Sequence, residues 1–129
     1  MTFAISPYTR RKVLIVDDDR YTRLTLEDFL HHEGFYTLGV PDGYQVTEIV
    51  LNELIDLVLL DINLPGRDGI QILREIKYLR SALPVIMITG SRSPDLFHEL
   101  IELDAFSLLP KPVDISLLRQ AVQHALFHF

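Results

Sequence analysis

Short β-branched or leucine-rich runs alternate along this chain with longer stretches in which apolar residues recur at helical spacing. The runs fall at about 12–17, 35–40, 56–61, 84–89 and 105–109 and are read as strands. Between them Leu26, Phe29 and Leu30 share a helical face, as do Val46, Ile49 and Val50, then Ile72, Leu73 and Ile76, then Phe97, Leu100 and Ile101. Ile115, Leu118, Val122 and Ala125 mark a last helix. Punctuation fits this division. Gly34 is expected to end the first helix, Asp42-Gly43 to start the second, Pro65-Gly66 to open the third and Ser93-Pro94 to cap the fourth.

Leu57 to Leu60 and Val85 to Ile88 are apolar at every position, so both faces of these strands are covered. That is the signature of a parallel sheet flanked by helices. The chain is therefore read as a doubly wound α/β domain with five parallel strands and helices on both faces. Right-handed crossovers bring the C-terminal ends of all strands to one edge, where such folds bind their ligands. Asp17, Asp18 and Asp19 follow the first strand, Asp61 ends the third, Thr89 ends the fourth and Lys111 follows the fifth.

Composition narrows the picture. A length of 129 residues suits one domain with a single core. The net charge of −6, with Arg10-Arg11-Lys12 as the one basic run, argues against direct binding of nucleic acid, which needs a concentrated basic surface. No cysteine is present, which excludes disulfides and thiolate metal sites and suits a reducing compartment such as the cytoplasm. No apolar stretch is long enough to span a bilayer, and the first residues lack the pattern of a signal peptide.

Carboxylates gathered at one sheet edge repel each other by roughly 4 kcal/mol per pair at a separation of about 4 Å and an intermediate dielectric. A divalent cation and the ammonium of Lys111 would compensate. An all-oxygen site suits Mg²⁺, with Mn²⁺ as a substitute, whereas zinc would want Cys or paired His. Asp61, alone at its strand end, is placed to attack phosphorus and form an acyl phosphate, with Thr89 as a hydroxyl donor and Lys111 as a neutralising charge.

Four segments taken together resemble the receiver domain of bacterial two-component response regulators, over about Lys12 to Leu126. They are Val-Leu-Ile-Val-Asp-Asp-Asp at 13–19, Leu-Asp-Ile-Asn-Leu-Pro-Gly-Arg-Asp-Gly at 60–69, Pro-Val-Ile-Met-Ile-Thr-Gly at 84–90 and Leu-Pro-Lys-Pro at 109–112. The resemblance implies a flavodoxin-like strand order 2-1-3-4-5. It further implies a phosphorylation-dependent switch in which Asp61 accepts a phosphoryl group from a histidine kinase or phosphotransfer protein. Asp17, Asp18, Asp61 and the backbone carbonyl of Asn63 would hold Mg²⁺, leaving Asp19 mainly to start a helix. Lys111 would bind the phosphoryl group beside a cis bond to Pro112, and Gly90 would leave that group accessible. Residues 1–11 are expected to be a flexible extension, 12–127 the receiver domain, and 128–129 its end or the start of a linker.

Three positions depart from the common family pattern. Leu108 stands where many receivers carry Tyr or Phe, so the coupling between Thr89 and a rotating aromatic ring is expected to be weakened or replaced. Asp104 replaces a frequent glycine, in a turn with ordinary angles or a left-handed conformation that Asp tolerates. Asn63 and Ser91, polar neighbours of the acceptor and the threonine, are candidates for positioning a hydrolytic water. The fourth helix spreads Leu96, Phe97, Leu100, Ile101 and Leu103 over more than one face, which points to a partner or a second copy of the chain. In the family, helix 4, strand 5 and helix 5 form the usual output surface toward an effector domain or partner.

Three other functions compete. A Mg²⁺-dependent aspartyl-phosphate phosphohydrolase of the haloacid dehalogenase type would use Asp17 and Asp19, but Tyr21 stands where its Thr or Val belongs and Thr22 comes one residue late. A flavodoxin-like cofactor binder would cradle phosphate with the backbone amides of a Ser/Thr/Gly-rich loop after the first strand, where three acids would repel phosphate unless a metal intervened. A docking module that accepts no phosphate is the remaining alternative, although all residues the chemistry needs are present. The five histidines show no metal-ligand spacing.

Overall fold

A computed structural model describes residues 10–90 and 93–127. The expected extension lies largely outside this range, as do Ser91 and residues 128–129. Five strands and five helices alternate: β1 (Lys12–Val16), α1 (Arg20–His32), β2 (Tyr36–Val40), α2 (Val46–Asn52), β3 (Leu57–Asp61), α3 (Gly69–Leu79), β4 (Val85–Thr89), α4 (Pro94–Glu102), β5 (Ser107–Pro110) and α5 (Ile115–Phe127). All strand pairs are parallel and the order is β2-β1-β3-β4-β5, as the resemblance implied.

The uniformly apolar strands divide their side chains between two cores, because successive residues of a strand point to opposite faces. Leu14, Val16, Val58, Leu60, Val85 and Met87 pack with Val46 and Val50 of α2, Ile72, Leu73 and Ile76 of α3, and Leu100 of α4. Val13, Ile15, Leu57, Leu59, Ile86 and Ile88 pack with Leu26 and Leu30 of α1 and with Leu118, Val122, Ala125 and Leu126 of α5. Both faces of β3 and β4 are thus closed to water. Every residue of these two strands is buried, including the terminal polar pair Asp61 and Thr89.

Several boundaries differ from the expected ones. α2 begins at Val46 and not at Asp42-Gly43, because Asp42 uses its carboxylate on the amide of Tyr44 at 2.9 Å and closes a local turn. α3 begins at Gly69 and not at Pro65-Gly66: Asp68 caps it, accepting from the amide of Ile70 at 2.9 Å, and residues 62–68 form a loop. Ser93 occupies the N-cap of α4 and Pro94 its first turn, as expected, although no side-chain capping bond forms. β5 covers 107–110, later than expected, since Asp104 turns the chain at φ 63° before it. Asp104 is thus in the left-handed region, the second of the two conformations considered for it. Of the broad apolar surface expected on α4, Leu96 and Leu103 join the core, leaving Phe97 and Ile101 exposed.

Gly69 shows how tightly α3 is set against the end of β3. A Cβ there would lie 2.6 Å from Ile62 Cα and 2.7 Å from the carbonyl oxygen of Asp61, both main-chain atoms that no side-chain rotation can move. Gly69→Ala is therefore expected to destabilise the fold by about 2–3 kcal/mol, read as a lower midpoint in urea unfolding. An unchanged midpoint would mean that the helix can shift away freely.

Candidate phosphoryl-transfer site

The strand ends deliver four groups to one edge of the sheet. Asp17 follows β1 with its amide bonded to the Val40 carbonyl at 3.2 Å. Asp61 closes β3, Thr89 closes β4, and Lys111 follows β5 with its amide on the Thr89 carbonyl at 2.8 Å. The ammonium of Lys111 reaches Asp61 Oδ2 at 2.8 Å and Asp17 Oδ2 at 3.2 Å. One cation therefore stands between two buried carboxylates that come from strands far apart in sequence. Its bond to Pro112 is cis, as expected.

The remaining carboxylate oxygens are taken by main-chain amides. Asp17 Oδ1 accepts from the amide of Asp19 at 2.9 Å, and Asp61 Oδ1 accepts from the amide of Asn63 at 3.0 Å. Asp17 is almost wholly buried. Burial pushes its carboxyl above the usual range and the neighbouring Asp61 adds to this, against the amide of Asp19 and the charge of Lys111. For Lys111, burial would lower the pKa, but the bond to Asp61 and the charges of Asp17 and Asp61 together outweigh it and raise it.

Asp17, Asp18 and Asp61 each offer a carboxylate oxygen, all within 4.8 Å of one another, and Asp18 is exposed. Asp17 Oδ2 is buried, and among the described residues its one cationic partner is the ammonium of Lys111 at 3.2 Å, without a well-aligned hydrogen bond. Buried acceptors are rarely left so, and a hard divalent cation is a partner that would satisfy this one. The donor set therefore fits Mg²⁺: carboxylate oxygens, no nitrogen or sulfur, and one open side for water.

Asp19 is spent differently. Its carboxylate caps α1, accepting from the amide of Thr22 at 3.1 Å and from the Thr22 hydroxyl, and these bonds hold it below the usual carboxylate range. This removes the second acid that the dehalogenase-type arrangement would require. A Cβ placed on Gly90 would meet nothing within 4 Å, so the residue after Thr89 borders open space. Leu108 is half-buried and lines, with Thr89, Ser93, Pro94, Phe97, His98 and Pro110, a cleft of about 390 Å³ between β5 and α4.

One contributor was not anticipated. Arg23 Nη1 donates to the carbonyl oxygen of Asp17 at 2.8 Å, tying the loop after β1 to the first helix. A signal for it existed: α1 has no acid in its first turn and carries Arg20 and Arg23 there, against the preference of a helix N-terminus for negative charge.

A single-layer parallel sheet of this order, with a buried aspartate at the end of its third strand and an acid pair beside it, defines a class. The chain belongs to the response regulator receiver domain family, the phosphorylation-dependent switches of two-component signalling, whose family profile matches residues 13–123. Among individual proteins, it is 40% identical over 112 residues to the sporulation initiation phosphotransferase F of Bacillus subtilis, covering 87% of this chain and 90% of that one. It is 35% identical over 117 residues to the DNA-binding transcriptional regulator NtrC of Escherichia coli, covering 91% of this chain but only 25% of the regulator. Among solved structures, a CheY-like receiver domain protein from Methanospirillum hungatei superposes with a TM-score of 0.88 at 27% identity, covering 92% of this chain and 95% of that one.

Proposed function

We propose that Asp61 is the phosphoacceptor of this receiver, taking a phosphoryl group from the phosphohistidine of a sensor histidine kinase or phosphotransfer protein. The observation that carries this reading is the position of Lys111, which neutralises both Asp61 and Asp17 at an edge that Gly90 leaves open. An Asp61 carboxylate oxygen attacks phosphorus, the P–N bond breaks, and the imidazole leaves with the electron pair, so that a mixed carboxylic-phosphoric anhydride remains. Asp17, Asp18, Asp61 and the Asn63 carbonyl hold Mg²⁺, with Mn²⁺ as a substitute. The bound ion supplies charge neutralisation on the phosphoryl oxygens.

This chain's own groups do the rest. Lys111, already within reach of Asp61, takes up one phosphoryl oxygen as charge builds there, and the Thr89 hydroxyl donates to another. The Asn63 amide keeps the acceptor carboxylate in one orientation. Asn63 and Ser91 tune hydrolysis of the product. The receiver spans residues 12–127 and works in the cytoplasm, as a switch and not as an enzyme that turns over an external substrate. Its output surface is α4, β5 and α5, where Phe97, Ile101 and Leu117, with Phe106 just before β5, are exposed for an effector, a partner or a second copy, with Leu108 in place of the aromatic lever.

Incubation with Mg²⁺ and acetyl phosphate, followed by intact-mass measurement, tests the reading. A one-to-one adduct in Mg²⁺ and none in chelator is expected. Catalytic turnover of unrelated phosphate esters would favour a phosphohydrolase, and no adduct with any donor would favour a docking module.

A further inference from the structure

The loop that follows Asp61 is held from outside by a side chain that takes no part in the chemistry. Residues 62–68 fold back on themselves through an antiparallel bridge between Asn63 and Asp68, and the amide of Gly69 donates to the Ile62 carbonyl at 3.0 Å. Arg67 leaves this loop toward α2 and α3. Its Nη2 donates to Glu75 Oε1 at 2.6 Å and its Nη1 to the carbonyl of Gly43 at 3.3 Å, while Thr47 Oγ1 donates to Glu75 Oε2 at 3.1 Å. The guanidinium is mostly shielded from water, its side chain retaining 20% of its exposure. The Arg67 bond holds the Glu75 carboxyl below its usual range, against the effect of burial.

Two glycines let the loops after β2 and β3 approach closely. Gly66, at φ 76°, lies against the hydroxyl end of Tyr44, where an added Cβ would come 2.1 Å from the hydroxyl oxygen. Gly43 is pressed against Ile72, and its added Cβ would be 2.1 Å from Cδ1 of that residue and 3.5 Å from Arg67 Cβ. The two loops thus lie side by side, with Arg67 as the polar tie between them.

We propose that Arg67 is a positioning residue for the phosphoryl site: its bridge to Glu75, Thr47 and Gly43 holds the β3–α3 loop in the conformation that sets the Asn63 backbone beside Asp61. The proposal rests on the reading that the Asn63 carbonyl is a ligand of Mg²⁺. A backbone ligand has no rotamer of its own. Where it points is decided wholly by the loop, so a tie that fixes the loop fixes the ligand.

The sign of the effect separates positioning from simple electrostatics. Removing a cation near an acidic site tightens divalent-ion binding through space, whereas loosening the loop weakens it. Arg67→Met, of similar length and without charge, is expected to weaken Mg²⁺ binding about tenfold in calorimetric titration. It should also speed hydrogen exchange at the Asn63 amide in the metal-free protein, with β1 and β4 amides unchanged. Thr47→Val, which removes only the outer hydroxyl, should give a smaller change in the same direction and serves if Arg67→Met fails to fold. Mg²⁺ binding by the variants equal to or tighter than the parent's, or Asn63 exchange no faster than before, would overturn the proposal. A parent protein that binds no Mg²⁺ would instead sink the reading of the site on which it rests.

Discussion

A chain carrying Asp61→Asn is expected to take up no phosphoryl group from acetyl phosphate or from a phosphohistidine donor. The carboxamide keeps the shape of the side chain and can still accept the Asn63 amide bond, but its oxygen carries no charge and its electrons are delocalised into the C–N bond. Nucleophilic attack on phosphorus therefore stops, and adduct in intact-mass spectra should fall from stoichiometric by more than about a hundredfold. Asp17 and Asp19 do not replace it. Asp17 is buried behind Lys111, and Asp19 is committed to the helix cap. Full adduct formation by the variant would place the acceptor on another residue.

Asp17→Asn is expected to do two opposite things, weakening Mg²⁺ binding by more than about tenfold and raising the thermal stability of the metal-free protein. The gain arises because Asp17 is ionised at a cost. Its folded pKa lies above the unfolded value near 3.8, chiefly through burial, so the folded state holds this proton more tightly than the unfolded one. The penalty is complete above the raised folded pKa, shrinks as pH falls through it and vanishes below the unfolded value. Scanning calorimetry should show the variant melting higher at neutral pH, with the difference closing on acidification. A variant that melts lower at neutral pH would show that the Lys111 pairing outweighs burial, and unchanged Mg²⁺ affinity would remove Asp17 from the ligand set. Such a trade, in which a group costs stability and serves function, is common where charges are gathered for chemistry.

Much of this site was legible before the fold was known, because an acid or a lysine that interrupts an apolar strand run stands out against its neighbours. Asp17, Asp61, Thr89 and Lys111 were visible in that way, and parallel topology alone was enough to bring them to one edge. Helix starts were harder to place. Asp42, Pro65 and Gly66 are strong turn formers, but a turn signal does not say whether the helix follows at once or several residues later. Asp42 closes its own turn, and the loop after β3 continues to Asp68 before α3 begins. On α4 the apolar residues are real but unequal, since Leu96 and Leu103 are drawn into the core while Phe97 and Ile101 are not.

The amino-acid sequence by itself determined the five alternations, the burial of both sheet faces and the strand-end residues, since periodicity and local turn chemistry are written into neighbouring positions. Tertiary structure alone decided how the charges are shared. Lys111 and Asp61 lie fifty positions apart and meet only because β5 and β3 flank β4. The same holds for Arg67 on the Gly43 carbonyl and for the contrast between buried Asp17 and exposed Asp18. Such pairings depend on how loops from separate crossovers settle against each other, and no local pattern encodes that distance.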